Sequence, residues 1–354
     1  MGRASIGFCD RPRQSGYPRA PFSFGSQMSD SADPRAIQAR QWAQDRLGLE
    51  AADFAPASAD ASFRRYFRIQ ADGQSWILMD APPQQEDSRP FVRIAQLMQG
   101  AGLNVPRVLH QDLQRGFLLL SDLGKQTYLN VLKPENADQL FSDAIDALIR
   151  WQCASVPGVL PEYDRALLQR ELSLFPDWFV QQHLQTEFTA AQEADWRAVC
   201  DLLLDRALQQ PKVFVHRDFM PRNLMRSEPN PGVLDFQDAV YGPISYDPVC
   251  LFKDAFVSWP EADVMAWRKI YTDRARKAGL PIADDAQFAQ DFDWMGVQRH
   301  LKVLGIFARI RYRDGKPHYL QDAPRFLRYV RAVAQRDAPL LPLLRLFDQL
   351  GLQA

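Results

Sequence analysis

The sequence is short of several features that define whole classes of protein. Its four cysteines are far apart, with no C-x-x-C pair among 354 residues, which excludes a zinc knuckle or redox dithiol of that kind and favours reduced thiols in a cytoplasmic protein. No apolar run approaches the roughly 18 residues of a membrane-spanning helix. The 42 basic and 43 acidic side chains give a formal charge of −1, so no overall field attracts nucleic acid or an anionic membrane. Any anionic ligand must be held by local residues.

The pattern of apolar residues predicts two structural units, which the chain length also favours. Residues 1–27 lack periodicity and are predicted to be a disordered extension. Residues 28–123 show a helix, a hairpin-like pair of strands, a second helix and two further strands, whereas residues 124–354 are mostly helical apart from a short β segment at 212–236. The predicted fold class is α+β, with a small β-rich amino-terminal lobe, a large helical carboxyl-terminal lobe and a ligand cleft between them. Nothing in the pattern indicates an obligate protein partner.

The strongest chemical signal is the segment His216-Arg217-Asp218, followed five residues later by Asn223. It matches H-R-D-x-x-x-x-N, the catalytic-loop pattern of kinase-like phosphotransferases, and Asp235 follows Asp218 by 17 residues. Phosphoryl transfer needs Mg²⁺ on the triphosphate and an oriented acceptor hydroxyl. Asn223 and Asp235 are therefore the predicted magnesium ligands, and Asp218 is the predicted catalytic base. The alternative, in which these side chains only cap turns and strand ends, requires the whole pattern to arise by chance.

The two segments together resemble the aminoglycoside phosphotransferase and choline kinase superfamily, in which an H-x-D-x-x-x-x-N loop is followed by an I-D-F/W-x-D segment. The resemblance implies a bilobal protein-kinase-like fold and an activity that uses ATP and Mg²⁺. It also implies that Asp238 is a substrate-binding residue near the acceptor. Asp247, followed by Pro248, resembles the superfamily's helix-starting aspartate and is predicted to be an N-cap with proline in the first turn.

The amino-terminal lobe departs from that superfamily because it has no lysine: the first lysine of the chain is Lys125. Kinase-like enzymes normally place a strand lysine on the nucleotide phosphates. Ser62, Arg64 and Arg65 stand instead at the first hairpin, where a nucleotide loop is expected. The two arginines point to opposite faces of an extended chain, so only one of them is expected to contact phosphate. The alternative is a solvated edge strand decorated with arginine.

A narrower resemblance is to the anomeric amino-sugar kinases of bacterial cell-wall recycling, which phosphorylate the C1 hydroxyl of N-acetylmuramate and N-acetylglucosamine. It implies an amino-sugar substrate and sugar 1-phosphate products for peptidoglycan recycling. It also implies that the backbone of the strap between the lobes, at Asp122 and Leu123, binds the adenine, with Asp122 at its polar end. The matching stretches are residues 61–68, 79–83, 86–87, 117–124, 216–223 and 234–241.

A predicted amphipathic helix over residues 298–309 carries Arg299 and Lys302 one turn apart. Arg299 is the predicted substrate-binding cation, since it is suited to the lactyl carboxylate of N-acetylmuramate; a solvated helix face is the competing explanation. Two other functions remain open, namely phosphorylation of an aminoglycoside or amino alcohol, and a non-catalytic nucleotide-binding module. Acidic residues beside the acceptor would favour the first, and the intact set of Asp218, Asn223 and Asp235 argues against the second.

Overall fold

The computed structural model describes residues 33–58 and 63–353. The predicted disordered extension over residues 1–27 and the predicted nucleotide-binding residue Ser62 therefore lie outside the described residues. Five antiparallel strands form the amino-terminal sheet in the order β1-β2-β3-β5-β4. They are β1 (Asp53–Ser58), β2 (Arg65–Ala71), β3 (Gln74–Asp80), β4 (Val108–Asp112) and β5 (Phe117–Ser121).

One face of this sheet is covered by helix α1 (Pro34–Leu47), which begins after the N-cap Asp33. Proline at the first helical position fits this start, because its missing N–H has no intrahelical partner there in any case. The apolar pattern predicts Ile37, Trp42 and Leu47 on one broad face. Trp42 is buried and Leu47 packs against the same cluster, but Ile37 is 52% exposed, because the helix approaches the sheet with alanines instead. The cluster beneath α1 comprises Ala36, Ala39, Trp42, Ala43, Phe67, Ile69, Leu78, Phe117 and Leu119.

The opposite face of the sheet packs on helix α2 (Arg89–Gly100) and joins the main core of the molecule. The alternation of side chains along β3 places Met79 on this face. Phe91 of α2 contacts Phe236, with ring centroids 4.8 Å apart. Helix α2 therefore packs directly on the segment that carries Asp235.

Strand β1 is an element that the sequence pattern does not predict. It contains Pro56, which lacks a backbone N–H, and a single large apolar residue, Phe54. Its place at the edge of the sheet explains why proline is tolerated, because an edge strand has donors on one side that no neighbour needs. The Phe54 ring stacks on Phe67 at a centroid distance of 4.6 Å, which fixes β1 on β2.

The carboxyl-terminal lobe is helical, and two small antiparallel pairs of strands, β6 with β9 and β7 with β8, lie within it. The predicted α+β class, with a small β-rich lobe and a large helical lobe, is confirmed. Within the described residues, none of the helices is both long and apolar enough to cross a lipid bilayer. The strands are β6 (Lys212–Val215), β7 (Leu224–Met225), β8 (Gly232–Val233) and β9 (Val240–Pro243), and the helices are α3 (Tyr128–Val131), α4 (Ala137–Cys153), α5 (Arg165–Leu174), α6 (Ala190–Gln209), α7 (Tyr246–Phe252), α8 (Glu261–Lys277), α9 (Asp285–Asp314), α10 (Ala323–Arg336) and α11 (Leu341–Gln349), with a π-helix over Phe175–His183 directly after α5.

Helix α9 runs through the middle of this lobe and is buried on nearly all sides between residues 294 and 305. A Cβ atom on Gly305 would lie 2.3 Å from the backbone of Leu174, so only glycine permits this contact between α9 and the end of α5. The prediction of an amphipathic helix is wrong for this part of α9, because the side that carries the two cations is buried as well. Arg299 and Lys302 are only 3% and 6% exposed, which rules out a solvated helix face as the explanation of these two cations.

Candidate active site

The loop between β6 and β7 carries the H-R-D-x-x-x-x-N pattern and is held by the buried carboxylate of Asp247. Asp247 accepts hydrogen bonds from the backbone N–H groups of His216 at 2.7 Å and Arg217 at 3.0 Å. Arg217 has a left-handed φ of 77°, which a non-glycine residue keeps only when its surroundings hold it there. Asp247 lies inside the first turn of α7, whose N-cap is Ser245, so the predicted N-cap role is wrong. Its carboxylate orders the loop instead.

Asp247 is fully buried, and this burial raises its pKa to about 7 even though the two N–H groups favour the ionised form. His216 is buried as well, and burial lowers its pKa to about 4. The neutral ring fits one tautomer: Nε2 donates to the Leu234 carbonyl at 3.0 Å, and Nδ1 accepts from the Asp218 N–H at 3.2 Å. His216 therefore supports the loop and is not placed to exchange protons with a substrate.

Asp218 sits on the open side of this loop, and its side chain is 39% exposed. Arg299 Nη1 lies 3.8 Å from Asp218 Oδ1. Partial burial raises the pKa of Asp218, but the charges of Arg299, Lys302 and Arg217 outweigh this effect, so the pKa lies below its ordinary value. The carboxylate is ionised at neutral pH and is suited to orienting an acceptor hydroxyl rather than to removing its proton at an early stage.

Asn223 and Asp235, predicted as metal ligands, lie side by side although 12 residues separate them in the chain. Asn223 Nδ2 donates to the Asp218 carbonyl at 2.9 Å and lies 3.4 Å from Asp235 Oδ2. Because the amide nitrogen is used inside the loop, the amide oxygen is the Asn223 atom left for a cation. One charged and one neutral oxygen fit Mg²⁺, which usually takes few protein ligands and completes its shell with phosphate and water. The donor set therefore fits the predicted ion.

The strap between the lobes is fixed by an ion pair that the sequence pattern did not single out. Arg68 of β2 donates to both carboxylate oxygens of Asp122, at 2.6 and 3.0 Å, and to the Gly124 carbonyl at 2.6 Å. Asp122 in turn accepts from the Gly124 N–H at 2.9 Å. The backbone N–H of Leu123 makes no hydrogen bond within residues 63–353. A strap that binds adenine through its backbone needs such a donor. The adenine-binding roles of Asp122 and Leu123 stay predictions.

The two hairpin arginines have different surroundings. Arg65 forms ion pairs with Asp33 and with Asp80, the latter at 2.5 Å, on the face of the sheet that α1 covers. Arg64 lies one residue earlier and pairs with Glu86 at 3.0 Å, in the connection that leads to α2. The two arginines therefore contact different parts of the lobe, and the placement of their side chains on opposite faces stays a prediction. Which of them contacts phosphate stays a prediction, and the surroundings favour Arg64.

The remaining predicted substrate residues are Arg299 and Asp238. Arg299 reaches Asp218 from α9, as described above. Asp238 is exposed three residues beyond Asp235, and its carbonyl accepts from Arg217 Nη1 at 3.4 Å. Both roles stay predictions. Glu171, a buried carboxylate of α5 that contacts Arg217, was missed altogether, because nothing in its local sequence distinguishes it from other helical glutamates.

A small sheet joined to a helical lobe, with two carboxylates and an amide on neighbouring loops, defines a kinase-like phosphotransferase. A protein-family model with the description "Phosphotransferase enzyme family" matches residues 53–286 of the chain. The chain belongs to this family, and the resemblance to the aminoglycoside phosphotransferase and choline kinase superfamily is confirmed.

Relatives and solved structures agree with this assignment. The chain is 59% identical to an N-acetylmuramate/N-acetylglucosamine kinase of Pseudomonas aeruginosa over 87% of its own length and 90% of the relative. It is 48% identical to a protein of the same name from Neisseria meningitidis, over 89% and 96%. The fold is similar to that of ADP-bound aminoglycoside phosphotransferase APH(2'')-Ib, with a TM-score of 0.57 at 14% identity over 82% and 97% of the two chains. It is also similar to choline kinase LicA from Streptococcus pneumoniae, with a TM-score of 0.56 at 13% identity over 84% and 98%. These likenesses confirm the kinase-like fold.

Proposed function

We propose that the protein transfers the γ-phosphoryl group of ATP to the anomeric C1 hydroxyl of N-acetylmuramate and N-acetylglucosamine. The sugar 1-phosphates would serve peptidoglycan recycling, in the cytoplasm, where ATP is available. The observation that carries the proposal is the assembled set of Asp218, Asn223 and Asp235 in a chain 59% identical to a kinase named for these two sugars.

Each residue of the set has one task in this reaction. Asp218 accepts a hydrogen bond from the acceptor hydroxyl and so directs the hydroxyl oxygen at the γ-phosphorus. As the new P–O bond forms, the bond between the γ-phosphorus and the bridging oxygen breaks, ADP leaves, and Asp218 takes the hydroxyl proton. Arg299, 3.8 Å from Asp218, keeps that carboxylate ionised and oriented. Asn223 and Asp235 would hold Mg²⁺, which screens the charge of the triphosphate.

The charges around the base favour a neutral or acidic acceptor over a polycation. The cations that act most strongly on Asp218 are Arg299, Lys302 and Arg217. Glu171 pairs with Lys302 and Arg217, so Arg299 is the cation of the three that we propose faces the acceptor. Arg299 would present like charge to the ammonium groups of an aminoglycoside and opposite charge to the lactyl carboxylate of N-acetylmuramate. A non-catalytic nucleotide-binding module would not require the base and both metal ligands.

Arg64 is the proposed substitute for the missing strand lysine, since Glu86 holds it at 3.0 Å much as a helix glutamate holds the lysine in protein kinases. We expect Arg64→Ala to weaken Mg·ATP binding by about 10- to 100-fold, the effect of one charge-assisted contact to phosphate. Arg65→Ala is the matched control: it removes the pairs with Asp33 and Asp80 and is expected to lower the Tm without changing nucleotide affinity. Titration calorimetry with Mg·ADP and Mg·ATP measures both effects. Parent-like affinity of both variants would mean that the phosphates are bound elsewhere.

The anomeric assignment predicts that a free C1 hydroxyl is essential. N-acetylglucosamine and N-acetylmuramate should consume ATP, whereas their 1-O-methyl glycosides should not, because the methyl group removes the proton that Asp218 accepts and blocks the in-line approach. The product should also lose its reducing end in step with phosphate transfer. A coupled ADP assay and a reducing-sugar assay on the same samples test this.

The outcomes separate three functions. Reducing-sugar reactivity that persists after stoichiometric transfer would place the phosphate at another hydroxyl and overturn the anomeric assignment, while the kinase assignment would stand. Turnover of an aminoglycoside or amino alcohol, with none of either amino sugar, would overturn the substrate class. No turnover of any acceptor, with intact Mg·ATP binding, would favour the non-catalytic module.

A further inference from the structure

Glu171 on α5 is a buried carboxylate at the centre of a charged network beside the catalytic loop. Its Oε1 atom accepts from Arg217 Nη2 at 2.5 Å and from Lys302 Nζ at 2.7 Å. Its Oε2 atom accepts from Gln298 Nε2 at 3.3 Å and from the hydroxyl of Tyr163. Burial raises the pKa of Glu171, but Lys302 and Arg217 outweigh it and hold the pKa at about 2. The carboxylate is therefore ionised at neutral pH.

The arginine held by Glu171 stands directly before Asp218 in the chain. Its backbone has the left-handed φ of 77° and is bound by Asp247. Its guanidinium lies over the Tyr163 ring at 5.6 Å and donates to the Asp238 carbonyl at 3.4 Å. The Arg217 side chain thus connects the catalytic loop, next to Asp218, to the loop that follows Asp235. A shift of this guanidinium would move both sides of the acceptor site.

The network also reaches Asp218 from α9. Lys302 Nζ donates to the Tyr246 hydroxyl at 2.9 Å, and the guanidinium of Arg299 lies over the Tyr246 ring at 5.7 Å. Arg299 in turn lies 3.8 Å from Asp218. The side chain of Glu171 therefore joins α5, α9 and the catalytic loop, without lying within hydrogen-bond distance of Asp218.

We infer that Glu171 is a positioning residue for phosphoryl transfer, which acts through Arg217 on the orientation of Asp218. The inference rests on the proposed kinase function. Regulated kinases order their catalytic region when a newly added phosphoryl group binds arginine. In this chain the side chain of Glu171 already binds Arg217. The catalytic loop therefore reaches its working geometry without phosphorylation of the protein.

A double-mutant cycle tests this inference, with kcat per folded enzyme and Mg·ADP affinity as separate readouts. We expect Glu171→Gln and Arg217→Gln each to lower kcat for N-acetylglucosamine by about 10- to 100-fold, the effect of a misplacement near 1 Å in the reacting groups. Mg·ADP affinity is expected to stay within about threefold, because neither residue is in the nucleotide site. The double variant is expected to match Arg217→Gln within about threefold, since both changes break the same connection.

Two further variants separate positioning from stability. Asp291→Asn breaks another buried pair, the one with Arg206 at 2.5 Å between α6 and α9, and is expected to lower the Tm while kcat stays at the parent value. If Glu171→Gln does not fold, Glu171→Gln/Lys302→Met removes one cation together with the carboxylate charge, and its kcat is expected to remain low.

Three results would overturn the inference: parent-like kcat in the Glu171 variants, losses that multiply in the double variant, or a fall in Mg·ADP affinity that parallels the fall in kcat. Failure of the proposed function is distinguishable, because it would appear in the parent enzyme as a lack of turnover of both amino sugars. Failure of the Glu171 inference appears only in the ratios between variants.

Discussion

Asp218→Asn is expected to lower kcat by about 10²-fold or more while the affinity for Mg·ATP changes little, because the carboxylate acts on the acceptor hydroxyl and not on the nucleotide. The asparagine keeps the size of the side chain but cannot accept the proton. Single-turnover rates with N-acetylglucosamine, measured together with nucleotide titration, separate the chemical step from binding. Near-parent turnover would remove Asp218 from the role of base.

The pH dependence provides an independent check on the same residue. The pKa of Asp218 lies below its ordinary value, so the base is active in its ionised form, and protonation removes it only as the pH falls through that low pKa. The parent is therefore expected to show no loss of kcat from this group between about pH 5.5 and 8. A limb of the kcat profile near pH 6.5 that disappears in Asp218→Asn would contradict the low pKa.

The proximity of the proposed base and the proposed metal ligands could be predicted from sequence, because these side chains lie in short segments of the chain. Asp218 and Asn223 are five residues apart, and a single turn separates them from the segment of Asp235. This short separation lets Asn223 Nδ2 lie 3.4 Å from Asp235 Oδ2. The surrounding segments are held from elsewhere in the chain by Asp247, Asn104 and Phe91. The residue types are also restrictive, since a hard cation and an acceptor hydroxyl require oxygen ligands and a carboxylate.

The supporting residues could not be predicted in this way because tertiary packing determines them. Asp247 matches a helix-start pattern, and only the fold shows that its carboxylate binds the loop around residue 216 instead of its own helix. Arg299 and Lys302 lie at a spacing typical of a solvated face, but α9 is surrounded by other helices. Their burial is possible because Glu171 and Asp218, from other parts of the chain, supply opposite charge.

The fold class could be predicted, whereas the edges of the small lobe could not. Periodicity is clear in β2 and α2, since each buries one face, whereas β3 is recognised as a short apolar run that follows β2 across a turn. Strand β1 carries proline and little apolar surface, so its pairing depends on the neighbour strand β2 and not on its own sequence.

Asp235→Asn is expected to raise the Mg²⁺ concentration needed for half-maximal activity by about 10- to 100-fold, because the charged one of the two proposed ligands is lost. Its neighbour Asn223 supplies only a neutral oxygen, which binds the ion too weakly to replace the lost carboxylate. More Mg²⁺ is then needed in solution to screen the triphosphate. Kinase assays over a Mg²⁺ titration at fixed ATP measure this change, with Mg·ADP calorimetry as a check on binding.

Asp238→Asn is the matched control for that experiment, since it removes an exposed carboxylate only three residues further along the same loop. It is expected to leave the Mg²⁺ dependence unchanged and to raise the KM for the amino sugar, because Asp238 is proposed to lie on the acceptor side. The two variants are therefore expected to differ in the quantity they change: Asp235→Asn changes the Mg²⁺ requirement, and Asp238→Asn changes the KM for the amino sugar. Equal shifts of the Mg²⁺ requirement in both would show that general negative charge near the triphosphate, and not coordination by Asp235, binds the ion.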